Sequence, residues 1–421
     1  MNSCKDSFLT TVLQHIKSKE AKDFVRMELL HHLSRSKAQL LAKGVSEAEA
    51  EETAVKQMGN PIELGRQFNK LHRPKTDWML ISLFTLAFAM GLLPLLHIPA
   101  LYSHLLSNRL IHIVLALIIA ATTMMLDYRK LERYCWWFLG LGTGILVPVA
   151  YFPTATIQAH PYFAIYGIGY ISSDAALPFL FLFWAAYSVN SHAKLRMMIP
   201  VYAITMLSFL LSSLPAAMIY SLVVLILLFK SSICWSISRI LTVAGAGLSI
   251  AAAVLFWFTR IPYRTERLLA FLHPKADAHG NGFMYVKIRE LIASGGWFGA
   301  GSSTYISNPA GELVLVDVAQ SYGWVAMGML IAVLILLLFR MAVLLRQTRT
   351  GFGRNLLAGI LTFFAVQCAY NMGMIAGFLP LTSIDVPFVS YGFTSTLLNS
   401  FLFGLALSVC RRRHLVTAAS K

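Results

Sequence analysis

In a chain of 421 residues of which only 13% are charged, the groups that could do chemistry gather between 260 and 317. They are Arg264 and Arg267 in a Y-R-T-E-R run, then Lys275, Glu312 and Asp317. A carboxylate near a hydroxyl can take its proton in a transition state. Guanidinium groups suit the other half of such a reaction, because their planar fork pairs with phosphate oxygens two bonds at a time. Residues of these types could together activate a hydroxyl and hold an anionic group. Plainer roles fit the same residues: Glu312 as a solvated loop carboxylate, Asp317 as the ion-pair partner of a loop arginine, and the two arginines as lipid-headgroup contacts. Lys287, Arg289 and Glu290 alternate on an expected surface helix and read as a solvated face.

A second informative stretch runs from Asn371 to Arg413. One apolar segment ends there, a Gly/Pro-broken turn carries P-F-V-S-Y-G at 387–392 with Ser390, and another apolar segment closes on three arginines. Lipid cannot satisfy free N–H and C=O groups, so irregular backbone between two spans must be buried in protein or face a polar cavity. The turn is expected to line such a cavity.

These residues must be positioned by membrane helices. Hydrophobic residues make up 57% of the chain, and runs long enough to cross a bilayer, roughly 20 residues each, recur from residue 77 onward. The expected fold is all-α, a polytopic membrane protein of about ten transmembrane helices. Their centres lie in 77–96, 109–126, 135–152, 174–190, 196–213, 214–230, 237–259, 316–340, 355–379 and 391–410, with a Ser-Ser-Leu-Pro corner at Pro215 separating the fifth from the sixth. The loops 127–135, 191–196, 230–239 and 340–354 and the tail carry Lys or Arg, whereas 97–108, 153–173 and 380–390 carry none. By the positive-inside rule both termini are cytoplasmic, and the large 260–315 loop is external. The net charge of +16 is then mostly topology, with no need of nucleic acid. Cys4, Cys135, Cys234, Cys368 and Cys410 offer neither an external disulfide pair nor a metal-type spacing. The first span serves as the insertion signal.

Residues 1–75 form a separate expected domain, a small cytoplasmic bundle of three or four helices, followed by the membrane domain over 76–421. Phe8, Val12 and Ile16, then Val25, Leu29, Leu33 and Leu40, recur at near-helical spacing. Ser46 with Glu49 predicts a capping box, Met58-Gly59 a helix end, and Asn60-Pro61 the next start. The order of E-L and H-L at 28–33, G-V-S-E-A-E-A-E at 44–51, M-G-N-P at 58–61 and H-R-P at 72–74 resembles the HAAS-type, or permease-prefix, domain. That resemblance implies a signalling or protein-contact module.

Arg264, Arg267, Phe271, Leu272, Pro274, Asp277, Gly282, Ser294, Gly295, Gly296, Gly299 and Gly301, taken with N-x-G-M from Asn371, L-P at 379–380 and P-F-V-S-Y-G, resemble the SEDS family of shape, elongation, division and sporulation proteins, represented by FtsW, RodA and SpoVE. The resemblance implies a ten-span peptidoglycan glycosyltransferase of the cytoplasmic membrane. Its substrate would be lipid II, an undecaprenyl-pyrophosphate-linked disaccharide, and its usual partner a class B penicillin-binding transpeptidase. Counting back from Gly323, the family's catalytic Asp falls on Glu312, with Asp317 the register alternative, and the family's acidic pair falls on Gln320 and Ser321. Arg264, Arg267, Lys275, Ser294 and Ser390 are the implied substrate-binding residues. No cofactor is assigned, and a divalent cation stays open. Departures include I-S-S-D-A-A-L-P at 171–178, which replaces a lysine-bearing family segment, Asp385 in a usually apolar turn, and Phe393 in place of a glycine. Alternative readings are a catalytically degenerate scaffold or regulator of a transpeptidase, a transporter of a lipid-linked precursor, and a permease gated by its prefix domain. Transporters usually show broken helices in paired halves, whereas the irregular features here cluster in the external loop and the last turn.

Overall fold

The computed structural model describes residues 4–17, 19–71, 76–97, 99–157, 160–165, 169–189, 195–230, 245, 247, 266, 269–299, 311–348 and 350–413. The chain divides into two compact units, Met1–Asp77 with Cys410–Lys421, and Trp78–Val409.

Among its described residues the first unit contains four helices, α1 Cys4–Gln14, α2 Lys19–Leu41, α3 Glu47–Gln57 and α4 Pro61–Leu71. Phe8, Val12, Ile16, Val25, Leu29 and Leu33 form one buried core with Ala54 and Val55, as the helical spacing predicts, and Leu40 packs against its edge. Gly59 ends α3 in the left-handed region at φ +82°, and Asn60 Oδ1 then accepts from Ile62 N at 3.0 Å to open α4. Ser46 does stand at the start of α3. Its hydroxyl, however, donates to Glu49 Oε2 at 2.7 Å, and no side-chain bond to the helix backbone forms.

The second unit is helical and apolar. Helices α5 Trp78–Met90 and α6 Leu93–His97 make the first span, α7 Pro99–Met125 the second and α8 Cys135–Tyr151 the third. Then come α9 Leu177–Tyr187, α10 Leu195–Ser212, α11 Leu214–Phe229, the loop helix α12 Phe283–Gly295, α13 Val314–Gln347, α14 Gly351–Ile375 and α15 Phe393–Arg412. Among the described residues six helical segments are long and apolar enough to cross a membrane, and three shorter apolar helices cover Ser173–Tyr187, Met198–Ser212 and Leu214–Phe229. Nine of the ten expected segments thus coincide with helices, and of the tenth, 237–259, only Gly245 and Gly247 are among the described residues. The Pro215 corner is real: Ser213 is extended, its hydroxyl accepts from Ala216 N, and the proline sits in the first turn of α11.

One loop between apolar segments holds structure that the loop reading did not foresee. Between α8 and α9, strands β1 Ala155–Ile157, β2 His160–Ile165 and β3 Gly169–Ile171 form an antiparallel meander with Ala155 opposite Tyr162 and Ala164 opposite Tyr170. Aromatic and β-branched residues along 156–171 are the local cause.

Helix α13 is broken. Gly323 adopts φ 86° and ψ 176°, so residues before and after it form two helical pieces. The break exposes backbone donors, and the S-G-G-W-F-G segment at 294–299 takes them up: Trp324 N donates to Gly296 O at 2.9 Å and Val325 N to Trp297 O at 3.3 Å. Glycines permit the close approach, because a Cβ on Gly295 would collide with the Ala319 carbonyl.

Candidate active site

Glu312 is half-buried in the turn that leads into α13, with its neighbours Gly311 and Leu313 buried. Two side chains hold this turn by its carbonyls. Asn371 of α14, fully buried, donates through Nδ2 to Glu312 O and to Ile384 O, each at 2.8 Å. Ser390 donates through Oγ to Gly311 O at 2.9 Å while accepting from Val386 N at 2.8 Å. The Ser390 hydroxyl therefore spends its hydrogen on the protein backbone, which gives it a tethering geometry instead of an open face toward substrate.

The turn 376–392 also presents Asp385, whose Oδ2 accepts from Ser395 Oγ at 2.7 Å. Burial pushes its carboxyl up to about 6; the Ser395 bond opposes the rise, the charges of Glu312 and Asp174 add to it, and Arg109 opposes it. Two acids from distant parts of the chain thus act on Asp385 in the last turn: Glu312 before α13, and Asp174 in the short Ser173–Ala176 helix. Tyr162, on β2 of the meander, belongs to the same field. Burial raises its phenol, and Asp174 and Asp385 raise it further. The chemistry available is that of a carboxylate held in place by its own backbone, with a second acid, Asp385, in its field.

The other expected site residues are distributed differently. Asp317 is half-buried in the first turns of α13 and makes no ion pair with any described residue. Lys275 is exposed on a turn built by Asp277, whose Oδ2 accepts from Asn281 N at 2.8 Å and whose carbonyl accepts from Gly282 N at 3.0 Å. Ser294 Oγ donates to Leu291 O at 2.9 Å within α12. Lys287 pairs with Glu290 at 3.3 Å on the exposed side of that helix. Arg264 and Arg267 lie outside the described residues. Among the described residues no cluster of three His, Cys, Asp or Glu side chains could hold a metal ion.

Sequence reasoning missed Arg109. A signal was available, since an ionisable residue inside an apolar span is by default a candidate for function, and Arg109 stands alone as a charge in the span Leu105–Met125.

The family model for the cell cycle proteins FtsW, RodA and SpoVE matches residues 77–415. The chain belongs to this family. A probable peptidoglycan glycosyltransferase FtsW of Trichlorobacter lovleyi is 26% identical over 200 residues, 46% of this chain and 51% of that protein. The peptidoglycan glycosyltransferase MrdB of Escherichia coli is also 26% identical over 200 residues, 53% of its length. The chain thus spans about half the length of these two relatives; with a probable FtsW of Geobacter sulfurreducens the alignment reaches 82% of the relative, at 24% identity. Among solved structures, a chain of a peptidoglycan synthase complex matches with TM-score 0.66 and 24% identity, covering 80% of this chain and 98% of that one. The Thermus thermophilus rod shape determining protein RodA matches with TM-score 0.58 and 21% identity, over 80% and 97% of the two chains. These likenesses place the fold among the polytopic helical membrane proteins of this family.

Proposed function

We propose that the protein builds cell-wall glycan, joining lipid II units at the outer face of the cytoplasmic membrane with Glu312 as general base. The observation that carries this reading is the double tether of the Glu312 turn by Asn371 and Ser390. A base acts only when held at its target, since a misplacement of about 1 Å can cost a hundredfold in rate. The names of the glycosyltransferase relatives support the same reaction class. In this reading Glu312 takes the proton of the attacking sugar hydroxyl, and Arg264, Arg267 and Lys275 hold the pyrophosphate leaving group. Both termini are cytoplasmic, a class B penicillin-binding transpeptidase is the partner, and residues 1–75 act as a HAAS-like contact module.

The test is glycan polymerisation by the purified full-length protein on lipid II, with the partner transpeptidase present. Glu312→Gln keeps size but removes the proton acceptor, so turnover should fall about a hundredfold or more with substrate binding intact. Glu312→Asp should retain part of the activity if the site tolerates the shorter acid of the family. Full turnover in Glu312→Gln with loss in Asp317→Asn would move the base to Asp317. No turnover in wild-type protein would assign the chain to the scaffold reading.

A further inference from the structure

Arg109 is fully buried, and every hydrogen bond shown for it ends on one short stretch of chain. Nη2 donates to the carbonyls of Phe388 and Val389 at 2.8 and 2.9 Å. Nη1 donates to the Ser390 carbonyl at 2.9 Å and to Thr396 Oγ1 at 3.0 Å. A guanidinium can do this because its donors diverge in one plane, whereas a lysine ammonium offers three donors from a point.

The backbone it grips is otherwise unfavourable. Phe388 has φ 69°, the left-handed region that bulky residues rarely enter. Its ring is wedged among Phe84, Phe88, Phe364 and Phe403, at centroid distances of 5.0 to 5.7 Å. Strain of this kind persists only where the surroundings over-determine it. Three consecutive carbonyls, 388 to 390, converge on one cation, and the ring nest fixes the side chain. Gly91 of the first span lets Val389 come close, since a Cβ there would meet the Val389 carbonyl and Arg109 Nη2.

The turn is in turn the anchor of the acid. Ser390, whose carbonyl Arg109 holds, donates its hydroxyl to Gly311 O, and Gly311 precedes Glu312. Asn371 ties Glu312 O to Ile384 O at the other end of the same turn. From these contacts we infer that Arg109 is a positioning residue for Glu312, acting in series through the 388–390 carbonyls, Ser390 and Gly311. The inference rests on Glu312 being the base, as proposed above.

Series action makes a distinctive pattern in the kinetics of the full-length protein polymerising lipid II. Arg109→Lys keeps the charge but cannot span the four acceptors, and Ser390→Ala cuts the next contact while leaving the buried arginine and its carbonyls in place. Each should lower kcat by about tenfold or more with KM changed less than about threefold, because a displaced base spoils the transition state more than binding. Each should also move the acid limb of the kcat/KM pH profile, which a merely structural defect would leave in place. The double variant should be no more than about threefold slower than the slower single one, because coupled sites are not additive. Wild-type kcat and pH profile in both single variants, or losses that multiply in the double, would overturn the inference even if Glu312→Gln is inactive. A loss that appears only as a raised KM or a lower yield of folded protein would overturn it too. Wild-type turnover in Glu312→Gln would instead overturn the base reading, and this role for Arg109 with it.

Discussion

Replacing Gly323 with alanine should destabilise the protein, whereas the same change five residues later at Gly328 should not. At φ 86° and ψ 176° Gly323 occupies a region that is essentially glycine-only, which costs another residue about 1–3 kcal/mol. Its added Cβ would also lie under 3.0 Å from Trp297 O, Phe298 N and Gly299 N, all backbone atoms without a rotamer to change. Pushing that segment away weakens the bonds from Trp324 N to Gly296 O and from Val325 N to Trp297 O, at about 0.5–1.5 kcal/mol each. Together these amount to roughly 2–6 kcal/mol. At Gly328 a Cβ meets nothing within 4 Å, and helix propensity favours alanine by about 0.5–1 kcal/mol. Thermal unfolding of the purified full-length protein in detergent separates the two. Gly323→Ala should melt roughly 5 °C or more below wild type, with Gly328→Ala at or above it. Equal melting of both variants would refute the claim that the S-G-G-W-F-G segment and the helix break form one packed joint.

The remaining predictions concern buried polar groups. Burial, with help from Glu312 and Asp174, lifts the Asp385 carboxyl from 3.8 to about 6. The folded state therefore holds its proton more tightly than the unfolded chain, and the stability this contributes is complete below pH 3.8 and lost as pH rises through 6. Asp385→Asn should raise the melting temperature relative to wild type more at pH 7.5 than at pH 4; an equal difference at both would contradict the sign. Tyr220 OH accepts from Trp184 Nε1 at 2.7 Å and lies 2.6 Å from Thr205 Oγ1, all three residues being buried. Tyr220→Phe leaves the indole N–H without its acceptor and should cost about 1–3 kcal/mol, read as a fall in melting temperature; an unchanged melt would mean that another acceptor replaces the phenol.

Periodicity and charge were enough to read the helices. Nine apolar segments, the Pro215 corner, the Gly59 helix end and the core of the N-terminal bundle each follow from neighbours a few residues apart. In lipid the backbone must satisfy itself within the segment, so hydropathy along the chain is close to a sufficient cause. The motif glycines were legible as residues but not as a joint, because what they touch is Ala319, Ser321 and Gly323 on another helix.

What only the tertiary structure decided is the company each polar residue keeps. Asp174, Glu312 and Asp385 are separated by up to 211 positions, and nothing in their local spacing shows that one carboxyl feels the other two. The same holds for Arg109, whose partners lie 279 to 287 residues away. Ser390 illustrates the limit most plainly. Its sequence context marks a polar turn, yet whether its hydroxyl meets a substrate or the Gly311 carbonyl depends on which distant segment packs against it. Local sequence dictates where a helix starts, stops or breaks, through forces that act within one or two turns. Desolvation and hydrogen-bond pairing between those pieces depend on distances that arise only once the spans have packed.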